Sequence, residues 1–394
     1  MAVDQMAPAA RPPFFYDPRV RAIFFQVLAL ALVVLGGAYL VNNTLANLAR
    51  QGIASGFGFL DTTAGFGISM SLVEYSEESS YGRVFLVGFL NTILVSVVGI
   101  FFATILGFLI GVARLSRNWV VAKMAAAYIE TLRNIPLLLQ LFFWYFAVLR
   151  TLPSPRNSVE VFGSFFLNNR GLTSPSPILE PGFSTVVISI AVAIIVAFFV
   201  ARWARKRQEA TGQQFHSFWV GLGIIVGLPF LAAIVTGFPL SWTTPELRGF
   251  NFVGGMVLIP EFVALVVALS TYTATFIAEI VRAGITSVSH GQTEAAFALG
   301  LRRAPTLRLV IIPQALRVII PPLTSQYLNL TKNSSLAAAI AYPDIVLVFA
   351  GTVLMQTGQA VEIIAITMAT YLALSLLISG FMNWYNQKMA LVER

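Results

Sequence analysis

The side chains able to do chemistry are few in these 394 residues, and what is missing narrows the reading first. With no cysteine, the chain can build no thiolate nucleophile, disulfide or thiolate metal site. Its two histidines, His216 and His290, lie far apart in sequence and give no ligand cluster. None of the four lysines, Lys123, Lys206, Lys332 and Lys388, follows a glycine, so the phosphate-cradling pattern G-x-x-x-x-G-K-S/T is absent. No constellation of His, Cys or paired carboxylates stands ready for catalysis inside a membrane. The chain is therefore expected to be no enzyme, with no catalytic residue, no metal and no cofactor of its own.

Polar residues set within apolar runs form a second group. Lys332 follows a segment containing Pro321 and Pro322 and is followed by Asn333, Ser334 and Ser335. A charge near the bilayer centre costs about 2.5–3.5 kcal/mol on insertion scales, so such residues face a protein interior or a wet cavity. Lys332 either pairs with an acid such as Glu279 or snorkels outward, or it meets a substrate carboxylate in transit. With Asn329 it heads the candidate pathway residues. Asn91 and Thr92 stand in GFLNTILVSV, where they line a pathway or make an interhelical hydrogen bond worth about 0.6 kcal/mol. Glu130 and Arg133, three residues apart, are expected to form an ion pair, as are Glu279 and Arg282. Pro136 should bend the helix beyond Arg133, with Gln140 one turn further on.

The elements that hold these residues follow from composition. With 57% apolar residues, 11% charged residues and a mean hydropathy of +0.80, the chain reads as an all-α polytopic membrane protein. Eight spans are expected: Ala22–Val41, then about 85–112, 122–149, 184–201, 217–237, 252–280, 314–341 and 361–384. The first lacks an A-x-A site at its end and reads as a retained anchor rather than a signal peptide. Residues 314–356 fit two spans, or one interrupted span and a surface helix; charge favours one span. Both termini are then cytoplasmic. Of the 25 Lys and Arg, only Arg50, Arg83, Arg150, Arg156, Arg170 and Arg248 fall outside, with Arg133 and Lys332 at membrane depth. The net charge of +8 thus marks cytoplasmic loops, RWARKR at 202–207 above all, rather than a nucleic-acid partner.

The expected division is a cytoplasmic tail (1–22), an anchor (23–42), a periplasmic loop (43–84) and the first part of a core (85–149). An insert (150–250) with a periplasmic loop and two extra spans follows. The second part of the core (251–385) carries a cytoplasmic loop at 286–313, and a short tail (386–394) ends the chain. Segments 43–84 and 150–183 carry the Gly, Ser and Pro punctuation of solvent-exposed loops.

Within that cytoplasmic loop, Ser289 and Gln292 have the spacing of a capping box, and Gln292–Leu299 is rich in helix formers. Gly300 should end this helix, and Pro305 should open a second short one that runs to Pro313. EAAFALG followed downstream by IIP resembles the EAA loop of ABC importer permeases. YTATFIAEIVRAGI, HGQTEAA, LRNIPLLLQLFFWY and LTKNSSLAAAI resemble the polar amino-acid permeases of the histidine, glutamine and glutamate type. The length and large outer loops look most like the general L-amino-acid permeases of Gram-negative bacteria.

The resemblance implies a five-span permease core and an inner-membrane subunit importing L-amino acids. Its implied partners are a second, related permease, two ATPase subunits that bind ATP and Mg, a periplasmic solute-binding protein, the amino-acid substrate and the lipid bilayer. It further implies that the loop is a coupling helix, with Gly291, Gln292, Glu294, Ala295, Ala296, Gly300 and Pro313 at the ATPase. The same architecture could carry amino-acid derivatives such as opines. A self-sufficient secondary carrier is the other reading, against which stands the absence of repeats and of repeated carboxylates.

Overall fold

The computed structural model describes residues 18–50, 52 and 55–389; the outermost parts of the expected tails, 1–17 and 390–394, lie outside the described residues. The long apolar runs fold as helices, because in hydrocarbon every backbone polar group must be satisfied within its own segment. These are α1 (Pro18–Arg50), α2 (Tyr81–Arg114), α3 (Trp119–Asn134), α4 (Leu137–Leu149), α5 (Phe183–Thr211), α6 (Ser217–Val235) and α7 (Pro260–Thr286). They are followed by α8 (His290–Ala298), α9 (Arg303–Ile340), α10 (Val346–Thr357) and α11 (Ala360–Met389). Among the described residues, seven helices are long and apolar enough to cross a membrane, or eight if the bent pair α3–α4 counts as one span. The chain is a helical, polytopic membrane protein.

Several boundaries differ from the expected ones. The span expected at 122–149 is not one kinked helix: α3 and α4 meet at Pro136 with a bend of 104°. The apolar stretch after 341 forms α10, too short to cross, so 314–356 holds one span and a short helix. The span expected from 252 begins only at Pro260, because residues 251–253 and 256–258 are β-strands.

Those strands belong to a β-structure that starts in the loop expected at 150–183 and continues past the expected insert boundary at 250. β1 (Val159–Val161), β2 (Phe165–Asn168), β3 (Gly171–Ser174) and β8 (Met256–Leu258) form an antiparallel sheet in the order β1-β2-β3-β8. Two ribbons accompany it, β4 (Ser176–Leu179) with β5 (Leu240–Thr243) and β6 (Glu246–Arg248) with β7 (Asn251–Val253). The sheet thus joins the chain before the α5–α6 hairpin to the chain after it. Phe166 stacks on Phe252 at 4.6 Å, and the Arg156 guanidinium lies 4.0 Å from the centre of the Phe250 ring.

The chain divides into two compact units. In the first, Met1–Leu90 with Pro343–Leu374, the segment after α1 folds onto α10. Phe59, Ala64, Tyr81 and Val84 form one core with Ile345, Val348, Phe349, Val353 and Ile363. Tyr81 donates to Gln356 Oε1 at 2.8 Å, and the Gly56 amide donates to Glu362 Oε1 at 2.7 Å.

In the second unit, Asn91–Tyr342 with Ser375–Arg394, small residues let helices approach closely. A Cβ placed on Gly107 would lie 2.5 Å from Ile277, and one on Gly284 would lie 2.3 Å from Ile319. Helix α7 is consequently clasped between α2 and α9, and Ala274, Ile277, Ala278 and Val281 are fully buried. Tyr128 on α3 donates to the Thr271 carbonyl at 2.8 Å, fastening α3 to α7 as well.

Candidate functional site

The loop between α7 and α9 is built from local chemistry. Helix α8 starts at His290, but the Ser289 side chain makes no capping bond, so the expected capping box does not form. Gln292 instead accepts from Gln314 Nε2 at 3.3 Å, which ties α8 to α9. At the other end Gly300 takes φ +80°, the left-handed conformation that glycine adopts without a Cβ penalty. The Gly300 amide donates to the Phe297 carbonyl at 2.9 Å, and the Leu301 amide donates to the Ala296 carbonyl at 3.1 Å. Those paired bonds are a Schellman motif, which satisfies carbonyls a helix end leaves orphaned.

The second helix departs from expectation. It begins at Arg303, with Pro305 in its first turn, and does not stop at Pro313. Through a π-helical turn at Leu307–Ile311 it runs into the membrane span, past Pro321 and Pro322, to Asn333 and a 3-10 turn at Ser334–Ile340. No separate short helix exists there. The loop is one free helix, α8, followed by the end of a long span.

On α8, Gly291, Gln292, Glu294 and Ala295 are exposed, whereas Ala296 is buried against its own chain. Only one of the two alanines of the EAA pattern therefore faces outward. Glu294 Oε1 lies 3.0 Å from His290 Nδ1, an exposed i,i+4 pair. Leu299 is 82% exposed, and Phe297 and Leu309 also stand open. Around them lie exposed Arg302, Arg303 and Arg308, so an apolar spot sits within a basic rim. Helical spacing could have paired His290 with Glu294, but exposure of Leu299 has no local signature.

The polar residues of the spans fall into different settings. Asn91 and Thr92 are fully buried, and the Asn91 carbonyl accepts from Tyr342 Oη at 3.0 Å. Gln140 is buried too, with Nε2 donating to the Leu132 and Ile135 carbonyls at 2.7 and 2.9 Å. It braces the α3–α4 break, replacing backbone bonds that Pro136 cannot make. Ser334 is buried and donates to the Thr331 carbonyl, while Ser335 donates to the Lys332 carbonyl. Asn329 and Asn333 come together with Gln326 on α9 and with Tyr272, Thr273 and Phe276 on α7, around a cavity of about 280 Å³. Tyr272, Thr273 and Gln326 were not singled out in the sequence, although their polar types within spans were visible.

Of the two expected ion pairs, Glu279–Arg282 forms and Glu130–Arg133 fails, and of the alternatives for Lys332 the pairing with Glu279 is not taken. Glu130 and Arg133 make no ion pair among the described residues; the Arg133 guanidinium lies 5.2 Å from the centre of the Phe276 ring, beside the cavity. Lys332 does not pair with Glu279, because Glu279 Oε2 accepts from Arg282 Nε at 2.9 Å, and Lys332 is exposed. The Glu279–Arg282 contact sits near the end of α7, above the loop.

Together these features define a multi-pass membrane protein with a structured helix between two spans and a polar cavity between α7 and α9. Residues 99–391 match the family described as binding-protein-dependent transport system inner membrane component, and the chain belongs to that family. It is 57% identical over 379 residues, 96% of this chain and 94% of the relative, to the general L-amino acid transport system permease protein AapQ of Rhizobium johnstonii. It is 57% identical over 380 residues, 96% of this chain and 97% of the relative, to the putative amino-acid ABC transporter permease protein YhdX of Escherichia coli. It is 41% identical to the glutamate/glutamine/aspartate/asparagine transport system permease protein BztB of Rhodobacter capsulatus, over 99% of this chain and 100% of the relative. The family is one of transport components, not of enzymes.

Proposed function

We propose that this chain is a permease subunit of an ABC importer that carries L-amino acids from periplasm to cytoplasm. The observation that carries the reading is α8, a water-facing helix that ends in a fixed Schellman turn and shows Phe297, Leu299 and Glu294 outward in a chain of this family. Near-full-length identity to permeases named for amino-acid transport supports the cargo. In this reading a partner ATPase binds ATP and Mg, and α8 with Gly291, Gln292, Glu294, Ala295 and Gly300 docks into it. Pro313 belongs to the span behind the loop rather than to the contact itself. The assembly comprises a second, related permease, two ATPase subunits and a periplasmic solute-binding protein, with both termini of this chain cytoplasmic.

The cavity lined by Tyr272, Thr273, Gln326, Asn329 and Asn333 supplies hydrogen-bonding groups of the kind a zwitterion needs when it leaves water. Arg133, beside Phe276, and exposed Lys332 provide cations near that path for a carboxylate. Closure of the ATPase pair would move α8 and the membrane helices joined to it, switching access from one side to the other. The test is reconstitution with the partner subunits and labelled L-amino acids. ATP-dependent uptake is expected only from the full assembly, with no hydrolysis by the isolated chain. Hydrolysis by this chain alone, or uptake that ignores ATP, would overturn the proposal.

A further inference from the structure

The α5–α6 hairpin is extra to a five-span core, and its cytoplasm-assigned end carries a feature apart from the loop and cavity already described. Ser189, Ala193, Ala197 and Ala204 of α5 are buried, and a Cβ built on Gly221 of α6 would lie 3.8 Å from Ala197, so this small-residue stripe is the face on which the two helices meet. At about 100° per residue, Phe198, Ala201, Arg202, Arg205, Lys206 and Glu209 form a second stripe directed away from it. Those six residues line a concavity of about 400 Å³.

Depth and charge identify what fits. The apolar stretch 183–201, at about 1.5 Å per residue, spans roughly the 30 Å of a bilayer's hydrocarbon, so Arg202 onward emerges at the headgroups. Exposed Trp203, Phe218 and Trp219 lie at the same end of the hairpin, as interfacial aromatics do. Arg207 is occupied, donating to Gln213 Oε1 at 2.9 Å and lying 5.5 Å from the centre of the Trp203 ring. Arg202, Arg205 and Lys206 are exposed and have no hydrogen bond or ion pair among the described residues. Three free cations face one acid, Glu209, above an open apolar surface at Phe198 and Ala201.

We propose that Arg202, Arg205 and Lys206 bind the phosphate headgroup of an anionic phospholipid, whose acyl chains lie along Phe198 and Ala201. A headgroup phosphate at this level satisfies the cations, and the lipid's acyl chains cover the apolar stripe beneath them. The site is independent of the cargo and of the ATPase.

The experiment uses the full chain in nanodiscs of phosphatidylcholine, titrated with phosphatidylglycerol, with lipid retention read by native mass spectrometry and by thermal shift. Selective binding of phosphatidylglycerol is expected. It should weaken about tenfold or more in the variant Arg202→Gln/Arg205→Gln/Lys206→Gln, since each basic group contributes at an anionic surface. A charge-matched variant elsewhere, Arg114→Gln/Arg117→Gln/Lys123→Gln, should bind as the native chain does. If the triple variant folds poorly, Arg205→Gln alone should still show a graded loss. Equal binding by native and triple variant, or equal loss in the charge-matched variant, would overturn the site. An identical thermal shift with inorganic phosphate would assign it to a free anion, and displacement by an acidic peptide without lipid selectivity to a protein partner; either result refutes a lipid.

Discussion

Substitution of Gly300 separates the geometry of the loop from its surface chemistry. Its φ of +80° lies where an L side chain is strained, yet a Cβ built there meets nothing within 4 Å. A substitution therefore carries a backbone cost and no collision. For alanine that cost is roughly 1–2 kcal/mol, which raises the population of the opened turn about 5- to 30-fold. Asparagine visits the left-handed region more readily and should be tolerated far better, while β-branched valine should be at least as costly as alanine. The direct assay is hydrogen exchange at the Gly300 and Leu301 amides, the two donors of the Schellman motif. The functional assay is uptake alongside retention of the partner ATPase, at equal permease abundance. Amide protection and uptake should both fall in the order native, Asn, Ala, Val, with membrane levels unchanged because the site is expected to face water. A valine variant with native amide protection and full uptake would refute the claim that this turn holds α8 for docking. Slow exchange with lost uptake would refute the geometric cause.

Three further outcomes are expected. Gln140→Leu strands the Leu132 and Ile135 carbonyls at the α3–α4 break, at about 1–3 kcal/mol for each group left unsatisfied, and a lowered melting temperature in detergent reads the loss. Gly107→Ala drives a Cβ to 2.5 Å from Ile277; overpacking of this kind costs about 1–3 kcal/mol, whereas alanine at exposed, unhindered Gly291 should leave the melting temperature unchanged. For sidedness, Gln208→Cys should label only from the cytoplasm and Glu160→Cys only from outside, in a chain with no native cysteine to interfere; labelling of both from one side breaks the topology.

What could be read from the sequence follows the range of the forces involved. The spans were legible because hydrocarbon demands continuous apolar runs, and Gly300 was legible because a helix end needs a residue that accepts positive φ. Pro136 signalled a bend, but not one of 104°, since the angle is set by how α4 packs and by Gln140 reaching back to Leu132. The insert's strands are only three or four residues long, too short for alternation to rise above the Gly and Pro turns between them. Side-chain pairing failed where a distant neighbour competed. Spacing permitted Glu130 to meet Arg133, and Phe276 on another helix took the guanidinium. Spacing likewise permitted Gln292 to cap α8, and Gln314 claimed it.

The extension of the second loop helix into the span has the largest mechanical consequence. A short helix ending at Pro313 would have placed a hinge between the loop and the membrane. Instead, α9 begins at Arg303 and continues without a break to Asn333, so the Gln292–Gln314 bond joins α8 to the same helix that carries Gln326, Asn329 and Asn333. At about 1.5 Å per residue, the cavity residues lie roughly 40 Å along that helix from its start. A second route runs through α7, which leads directly into α8 and contributes Tyr272, Thr273 and Phe276 to the same cavity. The close approach of Gly284 to Ile319 locks α7 to α9 between the two ends. A displacement applied at α8 is therefore delivered to both walls of the cavity by packed helices rather than by loops. In the proposed importer, the cavity's polar residues would therefore not need to touch a nucleotide-binding partner to respond to one.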